Sequence, residues 1–472
     1  MSNLAPIPVD SQLPALTTAL SATRMLAEFD THLLTDAGNG SHNSRYKIDA
    51  CRIDRVRYKP GQKCVVCYRL DIRDLSLGTR SQQYVSARIF PPGISENRYH
   101  KALREPLVTP RVGAPVFHID YLGLVAWNFP NERKLTGLPL LADRNWLAES
   151  LLPELVRNRF GADTCIVDLQ HTIQRYVPEH SCTVRVELLL DSDSNSQQQH
   201  WTLFGKTYFD NGGQRAFRVM RQLSLGREAR CRELCLPDAV AYNHASRSLW
   251  QEGLRGATLT KSFPRDNIPP VMLDKVAVAI AEFHALDAAH MPVIGAADVV
   301  AKIELAVDKL TQARPMLGER LHALRTRLAA GVPARTRSGT LHGDLHPQNV
   351  FITEERVALI DIDCACRGPV LLDLGSWIAG ALYRALLHGR PVDRCLAEQE
   401  RFVARYAAAA GRPVDKQHLN WFTAAMLVAE RCARAMSRLK TGRAEMIDQL
   451  LDVADQLIAD DARVLPRLES PK

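Results

Sequence analysis

Residues 340–363 read TLHGDLHPQNVFITEERVALIDID, a short strand-rich island in a half of the chain otherwise dominated by helical spacing. Asp344 and Asn349 lie five positions apart on an irregular stretch between Thr340–Leu341 and the strand VFI. A second strand, VALID, delivers Asp361, and Asp363 follows two residues on. If that strand continues, side chains at i and i+2 share a face, and both carboxylates point at one site. A carboxylate to orient a nucleophile, an amide oxygen and one or two further carboxylates form the hard-oxygen set that holds Mg²⁺ against phosphates.

Around the island, helical patterns cover 271–287, 297–330, 375–389, 395–410 and 418–459. Upstream of a boundary near 256–265 the character is β-rich. There RYKPGQKCVV (57–66) and RYVPEHSCTV (175–184) repeat at a fixed offset of 118 positions. Arg57, Tyr58, Pro60, Cys64 and Val66 recur as Arg175, Tyr176, Pro178, Cys182 and Val184. The same offset takes Leu70 to Leu188 and Arg88 to Lys206. Each copy reads as a strand, a polar turn and a second strand, with YVSARIF or WTLFGKTYF as a third. That regularity predicts a duplicated β-rich unit.

The first copy occupies roughly 46–140, with VFHIDYLGLVAWNF as a strand pair. The second occupies roughly 163–255, with a helical segment after its third strand and two more strands in AVAYNHASRSLWQEGL. DSQLPALTTALSATRMLAEFDTHLL (10–34) reads as an opening amphipathic helix, and LADRNWLAESLLPELVRNRF (141–160) as the helix linking the copies. Three segments follow: 1–150, 151–256 and 257–472.

With 472 residues the chain is long enough for several cores. A net charge of +8 spread over that length suits an anionic ligand better than a nucleic-acid partner. No apolar run approaches the roughly 20 residues of a membrane span, and MSNLAPIPVDSQLPAL lacks the pattern of a signal peptide. Eleven scattered cysteines therefore read as reduced thiols of a cytoplasmic protein. Cys64 and Cys67 form a CVVC, but on a strand positions i and i+3 face opposite ways, which argues against a metal pair.

LHGDLHPQN together with LIDID resembles the aminoglycoside phosphotransferase and choline kinase family, over roughly residues 163–450. The resemblance implies an α+β, two-lobed protein-kinase-like fold: a β-rich small lobe (151–256), a helical large lobe (257–472), and before them an α+β domain (1–150) that reads as a duplicated small lobe. It implies ATP and Mg²⁺ as cofactors. It makes Asp344 the base that deprotonates an acceptor hydroxyl, Asn349 and Asp361 metal ligands, and Asp363 a further candidate ligand. Asp373 in LLDLGSW matches the family's later Asp, which braces the catalytic loop; by its own surroundings it is equally a helix N-cap. His342 reads as ordering the loop through hydrogen bonds, and His346 as a loop residue.

Lys206, on the third strand of the second copy, takes the place of the phosphate-binding lysine. The turn YVPEHSC has no glycine, so phosphate cover is expected from backbone N–H groups near His180 and Ser181. Glu228 and Glu233 are candidate partners for Lys206. Residues 250–254, WQEGL, resemble the hinge, where the backbone of Gln251 and Leu254 would read adenine.

Only eleven residues separate Asp361 from Asp373, no APE follows, and HGD replaces HRD. The expected acceptor is therefore a small hydroxylated molecule (a sugar, amino sugar or amino alcohol) rather than a peptide. Between 378 and 416 seven basic residues face four acids, which tilts the acceptor towards a neutral or anionic one. The expected partners are ATP and that small molecule, with no nucleic acid and no membrane; nothing in the sequence reports oligomeric state. The rival reading is a degenerate kinase fold that binds or scaffolds without turnover.

Overall fold

The computed structural model describes residues 7–34, 45–192, 195–227, 231–287, 291–439 and 443–459; Glu228 lies outside the described residues. The chain divides into two compact units. One holds Met1–Gly213, Val240–Trp250 and Ser437–Thr441; the other holds Gln214–Ala239, Gln251–Met436 and Gly442–Lys472.

In the first unit, alternating apolar residues build β1 (Tyr46–Lys59), β2 (Lys63–Asp74), β3 (Arg80–Ile89), β4 (Val116–Ile119) and β5 (Leu124–Asn128), in the order β1-β2-β3-β5-β4. Tyr58, Cys64, Val66, Tyr68, Leu70, Val85 and Ala87 are buried in one core with Met25, Phe29 and Leu33 of the helix Ala22–Leu33. Phe29 meets the Tyr68 ring edge-on at 4.9 Å. The helix expected over 10–34 is two helices, Leu16–Ala19 and Ala22–Leu33, because Ser21 caps the second by accepting from the Arg24 N–H at 3.4 Å. Cys64 belongs to this core and Cys67 to the neighbouring one. Burial pushes both thiols well up, so CVVC is a pair of core residues.

The second sheet contains β6 (Thr164–Val177), β7 (Ser181–Ser192) and β8 (Asn195–Tyr208). After β9 (Leu234–Cys235), which joins another sheet, come β10 (Ala239–Asn243) and β11 (Ser248–Glu252). Its order, β6-β7-β8-β11-β10, is the order of the first sheet with each strand replaced by its counterpart. The offset of 118 survives in the register: Arg88 lies opposite Val65, and Lys206 opposite Thr183. The first irregularity in each long hairpin keeps it too, falling at Asp49 and at Val167. Here Leu147, Leu151, Leu152, Leu155 and Val156 of the preceding helical segment share a core with Cys182, Val184, Val186 and Leu203. Each copy thus carries a preceding helix packed with the cysteine of its second strand.

The second unit is mainly helical: Pro270–Ala285, Ala296–Ala313, Gly318–Ala330, Val370–Leu387, Val392–Ala410, Lys416–Met426 and Ile447–Ala459 are its longer helices. The stretch expected to be one helix over 297–330 breaks at Pro315, whose ring cannot continue it. Val370–Leu387 is long and apolar enough to cross a membrane, yet most of its residues are buried within the unit. The island forms two small sheets. β12 (Ala257–Thr258), β14 (Val350–Ile352), β15 (Val357–Leu359) and β9 are hydrogen-bonded in that order, and β13 (Ser338–Leu341) pairs with β16 (Cys366–Pro369). The fold is α+β, with β-rich sheets upstream and helices downstream, as expected.

Candidate active site

The loop from His342 to Asn349 leaves β13 and enters β14, and one buried carboxylate fixes its start. Asp373 Oδ2 accepts from the His342 N–H at 2.6 Å, and Oδ1 from the Gly343 N–H at 3.1 Å. His284 Nε2 lies 3.3 Å from Oδ2, and its Nδ1 meets the Tyr406 hydroxyl at 2.8 Å. Asp373 sits in the first turn of Val370–Leu387, where the helix dipole favours an anion; the N-cap is Pro369. Of the two readings of Asp373, the brace describes these contacts. Gly343 has φ +79°, and a Cβ there would collide with the Cys364 carbonyl oxygen. That explains glycine after His342, since a larger residue fits neither the conformation nor the space.

His342 Nε2 lies 3.0 Å from the Ile360 carbonyl. A carbonyl only accepts, so Nε2 carries the proton, and Nδ1 faces the Asp344 N–H at 3.4 Å. Asn349 Nδ2 donates to the Asp344 carbonyl at 3.0 Å, and the Asn349 carbonyl accepts from the Ile360 N–H at 3.0 Å. Asp344, Asn349 and the approach to Asp361 are therefore tied into one cluster.

Asp344 Oδ1 accepts from Arg434 Nη2 at 2.8 Å, and Oδ2 lies 3.7 Å from His346 Nε2. Burial pushes its carboxyl up, but Arg434 above all outweighs that and holds it below the ordinary carboxylate value. Burial drives His346 down to about 3, against the pull of Asp344 and with the help of Arg431 and Arg434, so its ring is neutral. Its Nδ1 is buried with no hydrogen-bond partner among the described residues.

Arg434 and its neighbour Arg431 were not among the expected site residues. A π-helical turn, Leu427–Cys432, runs directly into the helix Ala433–Arg438 that carries Arg434. Arg431 Nη2 donates to the Ser376 carbonyl at 3.1 Å, and Glu430 lies 3.6 Å from Arg431 and 3.9 Å from Arg434. The one trace in the sequence is ERCAR at 430–434, which puts a glutamate and two arginines on neighbouring turns.

Asp361 differs from expectation in one respect. The strand ends at Leu359, and Asp361 takes a left-handed conformation (φ 61°) as the N-cap of the turn Ile362–Cys364. Strand alternation therefore does not carry Asp363 to the face of Asp361, and Asp363 loses that support as a ligand. Among the described residues no group of three or more His, Cys, Asp or Glu side chains is arranged to hold a metal. Asn349, with its amide N–H given to Asp344, keeps a carbonyl oxygen. With the Asp361 carboxylate it fits Mg²⁺ in the usual way, two protein oxygens supplemented by phosphate oxygens.

The remaining expected residues lie on other elements. Lys206, on β8, has its Nζ 5.3 Å from the Tyr208 ring centroid. The β6–β7 turn is closed by the His180 N–H donating to the Val177 carbonyl at 3.0 Å, and His180 Nδ1 lies 3.2 Å from Ser181 Oγ. Ser181 is a ladder residue, opposite Val177 and Tyr208. The His180 donor expected to cover phosphates is thus already spent inside the turn, which corrects that part of the reading. Gln251 lies in β11, and Leu254 lies two residues beyond it; the intervening Glu252 N–H donates to the Asp238 carbonyl at 2.9 Å. Glu233 has Lys275 as an ion-pair partner at 4.0 Å.

The Phosphotransferase enzyme family matches residues 210–425, a little under half of the chain. Those residues carry the family pattern. The expectation of a phosphotransferase, drawn from LHGDLHPQN and LIDID, is met by that match. No curated protein matches the sequence. Among solved structures, similarity extends to a thermostable mutant of an aminoglycoside phosphotransferase in its apo form, at 16% identity over 66% of this chain and 100% of that one, with a TM-score of 0.42. A macrolide 2′-phosphotransferase from Brachybacterium faecium gives 18%, 64%, 97% and 0.40 in the same order. A choline kinase from Cryptosporidium parvum gives 11%, 66%, 95% and 0.44. Likeness at this level decides nothing about the substrate.

Proposed function

We propose that the protein transfers the γ-phosphate of ATP to a hydroxyl of a small molecule, with Asp344 as the base. The observation that carries the reading is the loop itself. An ionised Asp344 is held from behind by Asp373, through the backbone of its two predecessors, and from the side by Asn349. Asp344 would take the hydroxyl proton as the acceptor oxygen bonds to the γ-phosphorus and the bond to the bridging oxygen of ADP breaks. Asn349 and Asp361 would hold Mg²⁺, which when bound neutralises phosphate charge. Lys206 would hold the phosphates, and the backbone of Gln251 and Leu254 the adenine. Preorganised positioning and electrostatics supply most of the acceleration in such a site.

The acceptor reading rests on Arg434 and Arg431 rather than on the basic surplus of 378–416. Much of that surplus is paired: Arg384 with Asp266, Arg390 with Glu398, Arg401 with Asp274 and Lys416 with Glu400. Two arginines beside the base disfavour a polycationic acceptor and suit a neutral or anionic one. The rival, a binding module without turnover, draws on the occupied β6–β7 turn. Incubation with ATP, Mg²⁺ and a panel of sugars, sugar acids and amino alcohols separates the two readings. Acceptor-dependent ADP release is expected, falling on the order of a thousandfold in Asp344→Ala. Release that is independent of any acceptor, or equal in the variant, supports the rival.

A further inference from the structure

Glu179 is the third residue of the β6–β7 turn, and it is held unlike any other carboxylate described here. Its side chain is 3% exposed and meets three cations of the N-terminal copy and its sequel: Lys63 at 2.9 Å, Arg133 at 2.9 Å and Arg88 at 3.0 Å. Its N–H donates to Glu132 Oε1 at 3.1 Å. Adjacent residues 132 and 133 thus grip its backbone and its side chain. Glu179 also has φ 58°, a left-handed conformation that L residues seldom adopt, whereas the matching turn position of the first copy is Gly61, with φ 63°. A non-glycine residue persists in that region only where its surroundings over-determine it, and such sites cluster where a conformation matters for function. Buried ion clusters contribute little net stability for their cost in desolvation, so stabilisation alone is a poor account of this one.

The matching positions say what is being held. Arg88 occupies in the first copy the place of Lys206 in the second, and its partner is a carboxylate from the second copy's own turn. Arg88 also lies over the Phe90 ring at 4.6 Å, which fixes the plane of its fork. The turn is joined to Lys206 by a single ladder, in which Ser181 faces Tyr208 and Thr183 faces Lys206. We infer that Glu179 is a positioning residue for nucleotide binding: the cations of the N-terminal copy fix the β6–β7 turn, and through its ladder the strand that presents Lys206. This rests on the proposed function, which assigns Lys206 to the phosphates. The first copy then serves as a fixed support for the working sheet.

The test uses the full chain, a fluorescent ATP analogue, steady-state kinetics, thermal melts and amide exchange. Glu179→Gly removes the clamp while suiting the left-handed backbone; Arg88→Met loosens it from the other side. Both are expected to weaken analogue binding and raise KM for ATP by about tenfold. kcat and the acceptor KM should stay within about twofold, with faster exchange across residues 177–182. A purely structural role would lower the melting temperature and leave nucleotide affinity unmoved. Folded variants whose nucleotide affinity stays within about twofold of the parent, or whose kcat and both KM values change together, overturn the inference. Failure of the parent protein to bind the analogue overturns the proposed function as well, so the two failures are distinguishable.

Discussion

The first and second sheets share a strand order and a register, and they differ at two matching positions. Where the first has Gly61 in its turn and Arg88 on its third strand, the second has Glu179 and Lys206. Each turn has its left-handed residue's N–H taken by an upstream carboxylate: Asp10 at 2.8 Å for Gly61, Glu132 at 3.1 Å for Glu179. The latch is shared and the cations are not interchangeable. A guanidinium is a planar fork suited to a fixed carboxylate, and an ammonium is a compact charge suited to mobile phosphates. The difference shows how a duplicated unit can retain its architecture while its ligand is replaced by a side chain of its twin.

The comparison breaks if the two cations prove equivalent. Lys206→Ala is expected to lower kcat/KM for ATP by roughly a hundredfold or more, whereas Arg88→Met should act mainly on KM for ATP. Equal losses of kcat in both, measured by coupled ADP release, would end the distinction.

A second and smaller effect concerns acid. Burial pushes the Glu179 carboxyl up, but Arg133 and Lys63 more than reverse this and hold it at about 2, against an ordinary 4.5. A depressed folded value stabilises the protein above the ordinary one, and that contribution is lost as pH falls from 4.5 towards 2. Denaturant melts across that window should show a steeper acid loss in the parent protein than in Glu179→Gly.

The smallest effect lies on the other side of the comparison. Asp10 also accepts from the Tyr58 hydroxyl, at 2.9 Å. Asp10→Ala should cost about 1–2 kcal/mol by thermal melt while leaving KM for ATP unchanged. A shift in KM would mean that the first turn, too, communicates with the nucleotide.

The legible parts of the molecule were those written in contiguous residues. The island announced Asp344, Asn349 and Asp361 because a loop and a hairpin bring them together within a few residues of chain. The repeat announced two like sheets because period-2 burial and a constant offset are local patterns. Asp363 was misplaced because strand continuation was assumed past Leu359, where a left-handed residue turns the chain instead. Arg434 was missed because it lies 90 positions from Asp344, and only tertiary packing joins them. The clamp on Glu179 was hidden in the same way: the turn's lack of glycine was visible, but the three cations that hold its replacement are scattered from 63 to 133.

The π turn at Leu427–Cys432 carries a consequence for descent and design. A π turn is one residue more than an α-helical turn, so it behaves as a single insertion absorbed inside a helix. Deleting one residue there would leave a continuous helix but swing everything after it by about 100°, turning Arg434 away from Asp344. It would do so just beyond residue 425, where the family match ends. Acceptor preference in this chain is therefore exposed to a change of length, at a place where comparison of amino-acid identities alone would register almost nothing.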